Sequence, residues 1–239
     1  IDKKPMNNKK IWVQKRIDMG RQCLESFDRI LSPSHDLIDR LSTFTTSTVT
    51  YNALPLLSSF PPTIAPPVPY CFLFASSIIP TKGLHLVLDV IQKLPNARLL
   101  VAGSGFPFEG WPDYEKKQIQ RCHAYENVEY LGAIPHEKMN EVLGQAHCLV
   151  LPSLWPENSP IVIREALSMG LQVICSEEGG AKELSQKIYS IPSGDHRSLF
   201  QAMKSVSHRP PIRSTHDFFT IQDHGFTLSQ LYLSNTIVN

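Results

Sequence analysis

The chain reads as an α/β protein built on a doubly wound, Rossmann-like parallel sheet, and two features of its sequence predict this. From Tyr70 onward, short and nearly uninterrupted apolar runs alternate with helical segments. Strands look like this when helices cover both faces of their sheet. The polar and glycine-bearing segments, in turn, fall just after those runs, at the carboxyl ends of the strands, where right-handed crossovers put ligands. The predicted strands are Cys71–Ala75, Arg98–Ala102, Val128–Leu131, Cys148–Leu151, Gln172–Cys175 and Ile188–Ile191. A chain of 239 residues can bury a sizeable core, which predicts one main domain plus appendages.

Residues 1 to about 20 carry Lys3, Lys4, Lys9, Lys10, Lys15 and Arg16. They read as a solvated helix face, with contact to an anionic membrane surface or an acidic partner as the alternative. Arg21–Phe27 continues that helix. Asp28–Ser34 then reads as a short strand ending in a Ser-Pro-Ser turn, His35–Leu41 as a helix and Thr48–Ala53 as a second strand. Pro61–Pro69 holds five prolines in nine residues, which excludes a central strand or helix interior and predicts a hinge or surface linker. In the main domain the clearest helix is Leu84–Leu94, with Leu86, Val87, Val90, Ile91 and Leu94 on one face. Asp195 should cap a helix running to about Ser207; Pro210–Ile212 breaks the chain, and Phe218–Leu233 is the last predicted helix.

Composition excludes several classes. A formal net charge of +1 provides no field for nucleic acid. The five cysteines form no CxxC pair, which points to a reduced, cytoplasmic setting, with peripheral contact at a membrane left open by the basic stretch. The nine histidines show no ligand spacing such as HExxH, so no metal is expected. The most apolar piece, Cys71–Ile79, is too short to span a bilayer. No signal peptide is visible, and the first residue is Ile rather than Met, as in a processed product or a piece of a longer chain.

One stretch organises the rest: Pro152–Gly170, entered from the strand His147–Leu151. Ser159 is the expected N-cap, Pro160 the first helical residue and Gly170 the helix stop. The first turn would then offer free amides and a positive dipole end, an anion site. Glu157 lies just before that turn and Glu165 inside the helix. Singly, the first reads as a complement to the dipole and the second as part of a solvated face; with seven residues between them, they can flank one ligand. A second segment, Ser76–Gly83, sets Lys82 at the mouth of the helix that follows. Val101–Gly105 lacks the third glycine of GxGxxG and any Walker lysine, so it reads as a tight turn without a ligand. Asn127–Ile134 ends the third strand in Gly132. Trp155 reads as a sugar wall or a rim residue, and Glu178–Glu183 as scaffold opening another helix.

Pro152-Ser153, the Glu157–Glu165 pair, Glu165-Ala166-Leu167 and Gly170 together resemble the donor-site signature of family 4 glycosyltransferases, which have the GT-B fold. The resemblance covers Cys71–Leu199 most strongly and extends thinly over Asp28–Ala53. It implies a remnant of the N-terminal domain at 1–60, a linker at 61–69, a nucleotide-sugar-binding domain at 70–209, and a crossover helix at 210–239. It also implies retaining transfer from a nucleoside diphosphate sugar to an acceptor hydroxyl (on a glycan, a lipid or a small molecule), without metal or resident cofactor. By the same resemblance, Glu157 orients the donor sugar and Glu165 the ribose. Lys82 and the segment Asn158, Ser159, Pro160 and Ile161 take the diphosphate. Gly132 and Ala133 read the base through their backbone while Ile134 packs on it.

Ser76 and Ser77 stand where the family has Gly and Arg. A leaving nucleoside diphosphate gains charge and needs cations or amides aimed at it. Either another cation fills in, the donor differs, or the protein is a weak or inactive relative. Most of the N-terminal domain, with its acceptor pocket, is missing from the sequence. Rival readings are therefore a non-catalytic module that binds nucleotide or a partner chain, and a sugar-nucleotide epimerase of the same fold. A nicotinamide dehydrogenase has the least support.

Overall fold

Apolar side chains buried on both faces of a strand need cover on both sides, and the larger part of this chain supplies it. The structure, a computed structural model, describes residues 6–55, 69–208 and 221–235. The chain divides into two compact units, Ile1–Ala53 and Leu54–Asn239.

In the first unit, α1 (Met6–Glu25) is followed by β1 (Arg29–Ser32), α2 (His35–Ser42) and β2 (Thr48–Tyr51). The two strands are parallel, Arg29 opposite Thr48, so the strand–Ser-Pro-Ser–helix–strand order is a βαβ unit. Ser34 caps α2 by accepting from the Leu37 amide, and Arg40 closes on Asp36 at 2.7 Å one turn earlier. Of the linker predicted at 61–69, all but Pro69 lies outside the described residues, as do the break at 210–212 and the start of the last predicted helix.

The second unit runs β3 (Tyr70–Ala75), α3 (Leu84–Ile91), β4 (Ala97–Ala102), α4 (Tyr114–Ala124), β5 (Val128–Gly132), α5 (Met139–Gly144), β6 (Cys148–Leu151), α6 (Ile161–Ser168), β7 (Gln172–Ser176), β8 (Tyr189–Ile191), α7 (His196–Ser207) and α8 (Ile221–Asn235). Its sheet is parallel throughout, in the order β5-β4-β3-β6-β7-β8. This is the doubly wound Rossmann-like order, and each expected strand falls within a residue or so of its observed bounds. β3 and β6 are buried at every position. Asp195 caps α7 as expected, accepting from the amides of Arg197 and Ser198.

Two helices depart from expectation. α3 ends at Ile91 rather than Leu94, and the chain continues in tighter turns, Lys93 N to Val90 O and Leu94 N to Ile91 O. The side-chain amide of Asn127 collects the carbonyls of Ile91, Leu94 and Ala97, so the helix end is satisfied without further helix. At Glu178–Glu183 there is only a 3-10 helix, Gly180–Leu184, whose first amide donates to Glu157 O at 2.6 Å.

Neighbours β3 and β6 send their chains to opposite flanks, so the sheet reverses between them. At their start, His147 inserts its ring into the ladder: Nδ1 accepts from Cys71 N at 2.9 Å while His147 N donates to Cys71 O at 2.8 Å. At their far ends, Gly83 packs against the β6 exit. Its φ is +77°, and a Cβ there would lie 2.2 Å from Pro152 O. All five cysteines are unpaired, with Cys71, Cys122, Cys148 and Cys175 buried; burial pushes the Cys122 thiol up to about 11.

Gly83→Ala should cost about 2 kcal/mol or more, from left-handed backbone strain and backbone overlap together. Urea unfolding at 25 °C measures it; an unchanged midpoint would show that the β3 and β6 exits do not depend on this close approach.

Candidate functional site

At the reversal point a cleft of about 510 Å³ opens over the carboxyl ends of the strands. The turn after β3 contributes Ser76 and Ser77, the turn after β4 Gly103 and Ser104, the segment after β5 Ala133, Ile134 and His136, and the start of α6 Ile161, Val162 and Glu165; Met139 of α5 completes the wall. Small residues fill the strand ends because backbones approach closely there: Gly103 has φ +141°, and a Cβ on it would lie 2.0 Å from Ser76 O. The glycine turn at Val101–Gly105, read from sequence as ligand-free, is therefore both a tight turn and part of the cleft.

Glu165 carries the cleft's negative charge. It is 3% exposed, although it sits on a helix face that reads as solvated when taken alone. Burial pushes its carboxyl above the ordinary range, and the nearby His136 opposes part of that shift. His136 Nδ1 lies 3.6 Å from Glu165 Oε1.

The start of α6 differs from the sequence expectation by one residue. Pro160, not Ser159, is the N-cap, and no side chain caps the helix. Ser159 is unable to do so because its Oγ accepts from Arg164 Nε at 3.1 Å and Nη2 at 2.7 Å. Arg164, 2% exposed, also donates from Nη1 to Leu54 O at 2.5 Å. A buried guanidinium must find acceptors, and that demand outweighs the roughly 1 kcal/mol of a helix cap. The amides of Ile163 and Arg164 return to Pro160 O, leaving those of Ile161 and Val162 at the positive end of the helix, beside the cleft. Gly170 ends the helix in the left-handed conformation expected of it, φ +79°.

Lys82 and Glu157 come together but do not line the cleft. Lys82 Nζ lies 2.5 Å from Glu157 Oε1, and the same oxygen accepts from Ser153 Oγ at 2.6 Å. Of the residues singled out from sequence, Ser77, Ala133, Ile134, Ile161 and Glu165 share the cleft. Gly132, Asn158, Ser159, Pro160 and the exposed Trp155 are not among the residues that line it. Glu178 accepts from Ser193 N at 3.1 Å, holding the loop after β8. His136 and Arg164 were not legible in the sequence. Glu165 lies 29 residues from His136, and Leu54, which shares Arg164 with the nearby Ser159, lies 110 residues from it; only the fold brings these close.

Among the described residues no group of His, Cys, Asp and Glu could hold a metal ion, and no helix is long and apolar enough to cross a membrane. Glu165 makes a pH-dependent contribution to stability. Its folded-state carboxyl titrates above its unfolded value, so the folded state binds the proton more readily and loses stability as pH rises through that range. Glu165→Gln should therefore raise the melting temperature near pH 7.5, and the gain should fade as pH drops below about 4. Thermal melts of both proteins across pH check this; a variant that melts lower at neutral pH would contradict it.

Residues 60–216 match the family of glycosyl transferases group 1. A phosphatidylinositol N-acetylglucosaminyltransferase subunit from Arabidopsis thaliana is 30% identical over 145 residues, 57% of this chain and 31% of that protein. The chain thus spans about a third of that relative's length. Among solved structures, sucrose-phosphate synthase from Thermosynechococcus elongatus superposes with a TM-score of 0.79 at 18% identity, over 95% of this chain and 63% of that one. HepE from Anabaena, solved with UDP and glucose, superposes with a TM-score of 0.74 at 17% identity, over 92% and 67% respectively. At such identities the structures speak for the fold, a Rossmann-like half of GT-B type. The family match covers well over half of the sequence, including every residue that lines the cleft, and the chain belongs to the glycosyl transferases group 1 family.

Proposed function

We propose that this chain carries the donor-binding half of a retaining glycosyltransferase resembling family 4, which moves a sugar from a nucleoside diphosphate to an acceptor hydroxyl without metal or resident cofactor. The observation that carries the reading is Glu165: a carboxylate 3% exposed, facing a cleft that no lysine or arginine among the described residues lines. Such a group calls for hydroxyl donors, and a ribose offers two side by side. The diphosphate would then lie along the first turn of α6, where the Ile161 and Val162 amides meet it with the helix dipole behind them. Ala133 and Ile134 would flank the base.

Lys82 and Glu157 would act at the sugar end. In the free protein each neutralises the other. On donor binding, Lys82 would turn a donor toward the departing phosphate while Glu157 accepts from a sugar hydroxyl. The bond between the anomeric carbon and the phosphate oxygen breaks as the acceptor oxygen bonds on the same face, and the departing phosphate takes the acceptor's proton. The acceptor hydroxyl would belong to a second substrate, held by groups other than those that line this cleft. The Arabidopsis relative is named for phosphatidylinositol and is one subunit of its enzyme, which makes a lipid acceptor and a partner chain the first to test.

A second reading has one observation in its favour. Ser77 puts a hydroxyl in the cleft where the family has a cation, and Lys82 is already engaged by Glu157. A nucleotide-binding module of low or no turnover would look like this. Calorimetric titration with UDP, GDP and ADP sugars tests the shared element. One of them should bind, and Glu165→Ala should weaken it about tenfold or more, the value of hydrogen bonds to a charged acceptor. An unchanged dissociation constant would remove Glu165 from the site. Donor hydrolysis or transfer by the full-length protein separates the enzyme from the module.

A further inference from the structure

The charge inventory of the cleft is unusual for a pocket that takes a diphosphate. Its walls from β3 and β4 are alanine, serine and glycine, and α6 adds two aliphatics and one carboxylate. Lys82, the cation expected from sequence, lies outside the lining and is committed to Glu157. Among the described residues, one side chain lining the cleft can carry positive charge: His136. It opens the 3-10 turn His136–Lys138 after β5, preceded by Pro135 at φ −57°, which stiffens its approach. Its side chain is 55% exposed against 5% for Glu165, so its ring reaches water while its partner stays buried. Around it, Glu165 faces it from α6; Glu137 and Lys138 share its own turn and Glu141 lies on α5, all three exposed to water.

We propose that His136 is a donor-binding residue whose imidazolium form supplies the counter-charge that Ser77 does not, neutralising Glu165 and admitting the diphosphate of a nucleotide sugar. This rests on the donor-site reading above. An anion entering beside a buried carboxylate meets like-charge repulsion, and a cation 3.6 Å from that carboxylate cancels it. Neutral imidazole leaves the repulsion standing. Affinity should therefore fall as pH rises.

The probe is the tightest binder among UDP-, GDP- and ADP-glucose, because a diphosphate diester has no ionisation of its own between pH 6 and 8. Its dissociation constant should rise about tenfold between those limits for the unmodified chain, the scale of one charge-assisted contact. His136→Gln should bind at pH 6 as weakly as the unmodified chain does at pH 8, with a flat profile. His136→Lys should restore tight binding at pH 8. The residue is exposed, so both variants should melt like the parent. A flat profile in the unmodified chain, or an equal slope in His136→Gln (which would trace the titration to Glu165), overturns the inference and leaves the donor site standing. If no nucleotide sugar binds at any pH, the donor-site reading falls and this inference with it.

Discussion

Strands β3 and β6 lie side by side while their chains leave toward opposite flanks of the sheet, and no ladder among the described residues bridges the space between the two exits. Loop contacts have to do so. Leu154 N donates to Thr81 O at 2.7 Å, Gly83 packs on Pro152 O, and Lys82 closes on Glu157. From there the connection continues across the sheet. Ser153 O accepts from Ser176 Oγ at 2.6 Å and from Ser193 Oγ at 3.2 Å, and Glu157 O accepts from Gly180 N. These polar groups at the strand ends are paired with one another, as most buried polar groups are. The cleft is the part of this surface that the network does not fill.

Adjacent residues of α6 show how one helix packs into the core and faces the cleft at once. Successive positions on a helix differ by about 100°, so Arg164 and Glu165 point apart. Arg164 turns inward and binds neutral oxygens, Ser159 Oγ and Leu54 O; Glu165 turns to the cleft. The opposite charges are not each other's partners. Because Arg164 occupies the one side chain that could have capped the helix, the first turn stays uncapped on the side where an anion would lie. The open amides follow from a packing requirement five residues after Ser159.

The sheet was legible because its evidence is local. Phe72, Leu73 and Phe74 are apolar without interruption, and only a strand covered on both faces buries such a run. Asp195 announced a helix start for the same reason, its acceptors lying within reach of its own next residues. Ser159 carried the same local signal and failed, since a residue five positions on had a stronger claim to its hydroxyl. The carbonyls that end α3 are collected by Asn127, more than thirty residues later, so nothing near Ile91 marks the stop. For the candidate site the division is similar. Glu165 stood out by its spacing from Glu157, but its burial and its neighbour His136 come from the fold alone.

Every described residue lining the cleft lies between Ala75 and Glu165, on the β3-to-α6 portion of the second unit. Recognition of a donor would thus be contained in one continuous stretch of about ninety residues. The donor reading already uses the charged and polar walls of the cleft, so an acceptor would be held by other groups. Two functions that a transferase must bring together would then be carried by separable parts of the protein. The Lys82–Glu157 pair lies outside the cleft, tied to both strand exits and neutral as a pair. An ion pair that is only partly buried contributes little to stability and exchanges partners at small cost. That property would suit the opening that the proposed transfer asks of this contact.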